Sequence, residues 1–295
     1  MQPCFFIFGM GYTAEFLAQK LAKSNFKVIG TTRDEEKLEK AHSSNYQLIH
    51  YQDSDLCSYL KSSSHILLSA PPTLERGDPV LADYGDELKK LSLLKWLGYL
   101  SSTSVYGDHQ SGWVNELSPS LSVGKQGQLR LQAEKDWLNF SQHSKIPLHI
   151  FRLAGIYGPN RNALSRIQTG KEYSIFKEGQ FFSRIHVEDL ACLLLASSTK
   201  PKPFSIYNLA DDEPAPSHIV DAYAAALLHR PPLPLIPYEL AKLSVREKDF
   251  YANNRRVSNA KIKKEFALEL LYPTYREGLR QLYKLWMDEN DQTST

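Results

Sequence analysis

The chain is poor in the residues that staple or ligate. It holds three cysteines in 295 residues, Cys4, Cys57 and Cys192, all far apart. No two form a C-x-x-C pair, which excludes a metal knuckle and a disulfide framework and fits a reducing, cytoplasmic setting. Charge of one sign is scarce as well: 35 Lys and Arg against 33 Asp and Glu leave a formal net charge of +2. That balance gives no footing for a nucleic-acid or membrane-surface partner, and the basic residues are dispersed without interleaved aromatics. Long apolar runs are missing too, since nothing approaches the ~18 residues that a spanning helix needs. The stretch Phe5 to Phe8 has no basic residue before it and stops at Gly9, so it reads as a buried strand and not as a secretory leader. Internal repeats and low-complexity tracts are absent.

What is present is a globular composition, 42% hydrophobic, long enough to bury a sizeable core as one α/β domain with a lobe or as two small domains. Strand and helix signals alternate through the first half. Cys4 to Phe8, Lys27 to Gly30, Tyr46 to Tyr51, His65 to Ala70, Leu97 to Leu100 and Leu148 to Arg152 read as strands. Helical spacing separates them: Ala14, Leu17, Ala18, Leu21 and Ala22; Asp34 to Ala41; Leu81, Tyr84, Leu88 and Leu91; Gln128 to Gln142. This alternation predicts a doubly wound parallel sheet of the Rossmann class, with helices on both faces. Past Tyr157 prolines become dense, and helices remain readable around Val220 to Leu228 and Tyr275 to Trp286. The expected division is a dinucleotide-binding domain over 1–156. Residues 157–295 form mainly a smaller C-terminal substrate-binding lobe, with some segments returning to the sheet. The polar tail Asp288 to Thr295 is expected to fray.

The first strand runs into Gly9-Met10-Gly11-Tyr12-Thr13-Ala14, a G-x-G-x-x-A turn opening a helix. Gly9 permits the tight turn, Gly11 lets a pyrophosphate approach the backbone, and Ala14 lets helix and strand pack closely. Tyr12 and Thr13 lie in the first helical turn, where bare amides and the helix dipole favour a phosphate. At the end of the second strand an NAD enzyme places an acid for the ribose hydroxyl. Here the chain reads Gly30-Thr31-Thr32-Arg33. Thr32 offers a hydroxyl and Arg33 a planar charged fork for a 2′-phosphate, which favours NADP over NAD. The alternative leaves Arg33 in solvent and puts Asp34 on the ribose.

The segment Leu100-Ser101-Ser102-Thr103-Ser104-Val105-Tyr106-Gly107-Asp108 resembles the extended branch of the short-chain dehydrogenase/reductases, which includes NAD-dependent epimerases and dehydratases. Arg152 to Pro159, Arg184 to Leu190 and Tyr207 to Asp211 agree with that branch in order, so the resemblance spans nearly the whole chain. It implies hydride exchange with nicotinamide, a Ser or Thr on the substrate oxygen, and a tyrosine general base with a lysine four residues on. Ser102 matches the serine, with Thr103 beside it on the substrate side. The tyrosine and lysine are missing. Anchored on the helix glutamate Glu134, Gln126 takes the tyrosine position and Arg130 the lysine position, and no tyrosine lies between Tyr106 and Tyr157. This departure resembles the atypical, YeeZ-like members of the superfamily. Tyr106 stands as a substitute base or as a pocket wall. Arg130 is assigned to catalysis and to the nicotinamide ribose or a substrate anion, with Lys125 nearby as either actor or solvated residue.

By the same resemblance Ser69, Ala70 and Pro71 run along the adenosine ribose, and Gly155 and Ile156 border the cofactor. Tyr157, Arg184 and His186 line the substrate side, His186 either as a lobe anchor or as a substrate contact. Asp53, Glu116, Arg161, Arg166 and the run Arg255-Arg256-Val257-Ser258 are weaker candidates, each equally readable as loop or surface residues. Two functions follow as expectations. One is an NADP-dependent oxidoreductase or epimerase/dehydratase-like enzyme acting on a polar, nucleotide- or sugar-linked small molecule. The other is a non-catalytic NADP-sensing protein. The chain is expected to be a monomer, or a homodimer through Leu91, Leu94, Leu129 and Leu131 if these are not core residues.

Overall fold

The computed structural model describes residues 2–40 and 45–293. The first half contains β1 (Cys4–Phe8), α1 (Tyr12–Lys23), β2 (Lys27–Thr32), α2 (Glu35–Lys40), β3 (Gln47–His50), α3 (Leu56–Ser62) and β4 (His65–Leu68), then α4 (Pro79–Leu88), β5 (Trp96–Ser102), β6 (Trp113–Val114), α5 (Lys125–Ser144) and β7 (Leu148–Leu153). The second half contains β8 (Gly155–Tyr157), α6 (Ala163–Gln168), β9 (Ser174–Phe176), β10 (Arg184–His186), α7 (Val187–Thr199), β11 (Ser205–Leu209) and α8 (Ser217–Leu227). After these come β12 (Leu235–Pro237), α9 (Val245–Tyr251), β13 (Arg256–Val257), α10 (Ala260–Phe266) and α11 (Tyr275–Thr293).

Seven strands pair in the order β11-β7-β5-β4-β1-β2-β3, every pair parallel. Strands β1, β4 and β7 are buried along their whole length, because helices cover both faces of the sheet. Phe5, Ile7, Leu67, Trp96 and Phe151 face one layer, packed against α1, α7 and α10. Phe6, Phe8, Ile66, Leu68, Leu97 and Tyr99 face the other, against α3, α4 and α5. This is the expected Rossmann class. The seventh strand, β11, comes from the second half and crosses back to lie beside β7. The remaining lobe is built from three two-stranded parallel pairs and a separate core between α6, α8 and α11. Among the described residues no helix is long and apolar enough to cross a membrane.

The differences from the sequence reading have physical causes. Helix α3 is too short to show a period, and only Leu56 and Leu60 of it are buried. Helix α7 carries an unbroken apolar run from Leu190 to Ala196, with its polar residues at its two ends, and so lacks a readable polar face. Helix α4 stops at Leu88, leaving Leu91 beyond its end. The tail expected to fray is instead helical to Thr293, while Ser294 and Thr295 lie outside the described residues, as does Ala41 at the expected end of α2.

His149 on β7 is fully buried, stacked with the rings of Trp96 and Phe151, and burial pushes its imidazole down to about 4. The folded chain holds it neutral, whereas the unfolded chain protonates it below about 6.5. Stability is therefore lost as pH falls from about 6.5 to about 4. Urea unfolding of wild type and His149→Phe at pH 7 and pH 4.5 tests this. The difference between the two proteins should shift by roughly 2 kcal/mol in favour of the variant at the lower pH. A pH-independent difference would show that His149 carries no proton linkage.

Candidate functional site

The C-terminal ends of β1, β2, β4 and β5 meet at one edge of the sheet. Gly9 leaves β1 with φ +88°, and its N–H donates to Thr31 Oγ1 at 3.0 Å. A Cβ at Gly9 would lie 3.1 Å from the Ala70 nitrogen, so the fold itself requires glycine there. Met10 turns inward and rests on Gly30, where a Cβ would strike its Cε. Gly11 is different. It caps α1 with φ −95° and ψ −173°, a conformation open to any residue, and nothing lies within 4 Å of where its Cβ would be. No side chain caps α1, so its first amides and dipole point into this cradle. Ala14 is fully buried, as close packing of α1 on the sheet demands.

Around this turn the sequence-predicted residues fall as follows. Thr13 is buried in the first turn of α1. The Tyr12 side chain turns away from the cradle and donates to Pro159 O at 3.0 Å, with Arg161 against its ring, and burial pushes its hydroxyl up to about 12. Tyr12 thus ties α1 to the loop after β8. Ser69 N donates to Phe8 O at 2.9 Å, Ala70 backs onto Gly9, and Pro71 is exposed. Thr32 Oγ1 accepts from Asp34 N, and Asp34 Oδ1 accepts from Lys37 N at the start of α2. Arg33 is exposed, its guanidinium 4.5 Å from the centre of the Tyr51 ring. Asp53 takes the amide of Asp55 within its own loop. Lys37 was missed in the sequence. Its ammonium meets the Met10 carbonyl and the Glu15 carboxylate, which puts a second cation against the glycine turn. The available signal was its place four residues after Arg33 at a helix start.

At the end of β5, Ser102 is half-buried and its Oγ accepts from Ser104 N at 3.1 Å, starting a 3-10 turn over Thr103–Tyr106. Thr103 is buried within that turn. Gly127 lacks a Cβ that would collide with Ser122 and the Ser104 carbonyl, so α5 starts hard against the turn. Arg130 on α5 is half-buried and donates from Nη1 to Leu100 O at 2.6 Å. Gln126 and Lys125 are exposed.

Tyr106 corrects an expectation. It is fully buried, its hydroxyl donates to Asn208 Oδ1 at 2.7 Å, and its ring lies 4.8 Å from the Arg152 guanidinium. Arg152 in turn forms a buried two-pronged pair with Glu134 of α5, Nη2 to Oε2 at 2.7 Å and Nε to Oε1 at 3.1 Å. A phenol enclosed in this way, its pKa raised by burial, is neither a pocket wall nor a proton carrier.

The substrate-side residues are similarly sorted. Gly155 is exposed and Ile156 half-buried on β8, which pairs with β10 in the register Gly155 to Arg184 and Tyr157 to His186. Tyr157 is buried, its hydroxyl facing Thr274 O and packed against Gly278. His186 is buried between Tyr157 and Tyr272, its Nδ1 accepts from Glu188 N to cap α7, and burial pushes it down to about 4. Both side chains are taken up within the lobe, His186 in the anchoring role that is one of its two expected readings and Tyr157 in place of the expected substrate contact. Arg184 spends Nη1 on the carbonyls of Phe182 and Ala215. Arg166 and Lys171 pair with the buried Asp221. Glu116 accepts from Asn208 N. Leu91 and Leu94 pack against the core beneath α4 and α5, and Leu131 packs beside Tyr106.

No protein-family model and no curated protein matches the chain. Among solved structures, a protein from Silicibacter pomeroyi described as functionally unknown and conserved is 41% identical. That match spans 95% of this chain and 98% of that one, with a TM-score of 0.88. The chain belongs to the family of that conserved protein. Its fold is that of the extended short-chain dehydrogenase/reductases. The dTDP-glucose 4,6-dehydratase of Bacillus anthracis, solved with NAD, is 17% identical with a TM-score of 0.78, over 98% of both chains. The UDP-glucuronic acid 4-epimerase of Bacillus cereus, also solved with NAD, is 16% identical with a TM-score of 0.74. That likeness covers 95% of this chain and 97% of the epimerase.

Proposed function

We propose that this chain is an NADP-dependent oxidoreductase or epimerase/dehydratase-like enzyme for a polar small molecule, working without the superfamily's tyrosine base. The observation that carries the cofactor reading is Gly11. The fold does not need glycine there, yet the position is bare, uncapped and open, as a seat for a diphosphate must be. The backbone of Gly9 to Ala14 would hold the pyrophosphate, and Ser69, Ala70 and Pro71 would run along the adenosine ribose. Arg33 would receive the 2′-phosphate, with the Thr32 hydroxyl beside it and Lys37, held on the Met10 carbonyl and Glu15, adding positive charge nearby. Arg130 and Ser102 would face the nicotinamide end, with Gly155 and Ile156 on its far side.

When bound, the nicotinamide supplies or takes a hydride. The chain's part is to bind and polarise the reacting oxygen. Ser102 Oγ already accepts from Ser104 N, which leaves its proton for the substrate oxygen. Arg130 holds a fixed charge beside that oxygen and stabilises negative charge there without exchanging a proton. Proton exchange passes from Ser102 to solvent. The solved structures of like fold named for dTDP-glucose and UDP-glucuronic acid support a sugar-linked substrate. The three unpaired cysteines support a reducing cytoplasm. The exposed Gln126 at the tyrosine position favours a second reading, an NADP sensor without turnover.

Incubation with deuterium-labelled NADPH and a panel of sugar nucleotides and aldehydes separates the two. Label should appear in a product and fall at least tenfold in Ser102→Ala with cofactor affinity kept. Binding without transfer across the panel selects the sensor. Calorimetric titration of Arg33→Ala should lower NADP affinity by roughly tenfold, the loss of one charge-assisted contact, and leave NAD unchanged. An intact NADP preference in Arg33→Ala would remove Arg33 from the 2′-phosphate site.

A further inference from the structure

Arg33 and Tyr51 occupy matching places on two neighbouring strands. Thr32 at the end of β2 pairs with His50 at the end of β3, and Arg33 and Tyr51 are the next residue of each. There the exposed Arg33 guanidinium lies over the face of the Tyr51 ring, 4.5 Å from its centre. The ring beneath it is buried and held from several sides. Tyr51 N donates to Thr32 O at 2.8 Å, and Tyr51 O accepts from the Tyr84 hydroxyl at 2.7 Å. The Tyr51 hydroxyl donates to Asp83 Oδ2 at 3.0 Å, with Pro79 O at 3.2 Å, which pins it to α4. The rings of Phe8 and Tyr84 meet it edge-on.

The acids around this cation are occupied elsewhere. Asp83 gives Oδ2 to the Tyr51 hydroxyl and Oδ1 to the Arg76 guanidinium. Asp34 takes the amide of Lys37. Among the described residues the arginine ion pairs are those of Arg76, Arg152, Arg166, Arg276 and Arg280, and Arg33 is in none of them. Contact with a ring face uses none of a guanidinium's N–H donors. Arg33 therefore keeps its charge and its fork while losing the freedom of an ordinary exposed arginine. The side chain is ordered before a ligand arrives, so that ordering no longer weighs against affinity.

We propose that Tyr51 is the positioning residue behind a preference for NADP over NAD, because its fixed ring holds the Arg33 fork ready for the 2′-phosphate. The inference rests on the reading of Arg33 as the 2′-phosphate residue. It goes further in assigning the preference to a buried ring after β3 as well as to the arginine's charge. NAD presents only a hydroxyl at that position and gains nothing from the arrangement.

Calorimetric titration with NADP and NAD compares wild type, Tyr51→Leu, Tyr51→Phe, Arg33→Ala and the double variant Arg33→Ala/Tyr51→Leu. Tyr51→Leu should lower NADP affinity about threefold to fivefold, the loss of one exposed cation–ring contact, and leave NAD affinity unchanged. Tyr51→Phe keeps the ring, removes only a hydroxyl, and should keep the wild-type ratio of NADP to NAD affinity. In the double variant the Tyr51 substitution should move that ratio no further than Arg33→Ala alone. A purely structural role predicts a different pattern: a hollowed core lowers Tm and weakens both cofactors together, with or without Arg33. The proposal is overturned if Tyr51→Leu keeps the wild-type ratio, if Tyr51→Phe loses it, or if the two substitutions act on it additively. A ratio lost in Arg33→Ala but kept in Tyr51→Leu sinks this inference alone. A ratio kept in Arg33→Ala sinks the 2′-phosphate reading and this inference with it.

Discussion

The geometry of the site depends on one close approach. The turn after β1 passes so near the end of β4 that a side chain at Gly9 would meet the Ala70 backbone at 3.1 Å. That contact fixes where α1 begins, and so where its uncapped amides point. Met10 buried on Gly30 and the Gly9 bond to Thr31 lock the turn to β2. With three strands held in this way, Arg33, Lys37 and Ala70 come to surround a helix start, although they are separate in sequence.

A second constraint holds the other half of the cleft. The buried Arg152–Glu134 pair joins β7 to α5, and the Tyr106 ring beneath Arg152 joins both to the loop after β5. Asn208 extends the chain of bonds to β11 and, through its Nδ2, to the Ser258 carbonyl before α10. Breaking a buried pair by removing one partner costs several kcal/mol, far more than a surface pair contributes. The network explains why Tyr106 is absorbed into the interior. Its hydroxyl serves packing and so is not available to replace the missing base.

The sheet and the glycine turn were legible because burial on both faces writes continuous apolar runs, and because glycine spacing has a local cause. Gly9, Gly11 and Ala14 act within one turn of chain. The roles of Tyr106 and Tyr157 were not legible, since each is decided by a distant partner: Asn208 and the start of α11. Their motifs located them at the correct edge of the fold without revealing which way their polar atoms face. Lys37 escaped notice because an exposed-looking lysine on a charged helix carries no sign of the carbonyl it reaches.

Replacing Gly11 by Asp isolates the central claim. The backbone tolerates the change, and the carboxylate would cap α1, so stability should hold or rise by a few tenths of a kcal/mol. The same carboxylate occupies the diphosphate seat and repels its charge. Calorimetric titration should show NADP affinity reduced by at least tenfold in a protein whose Tm is not lowered. Undiminished NADP affinity in Gly11→Asp would contradict the account.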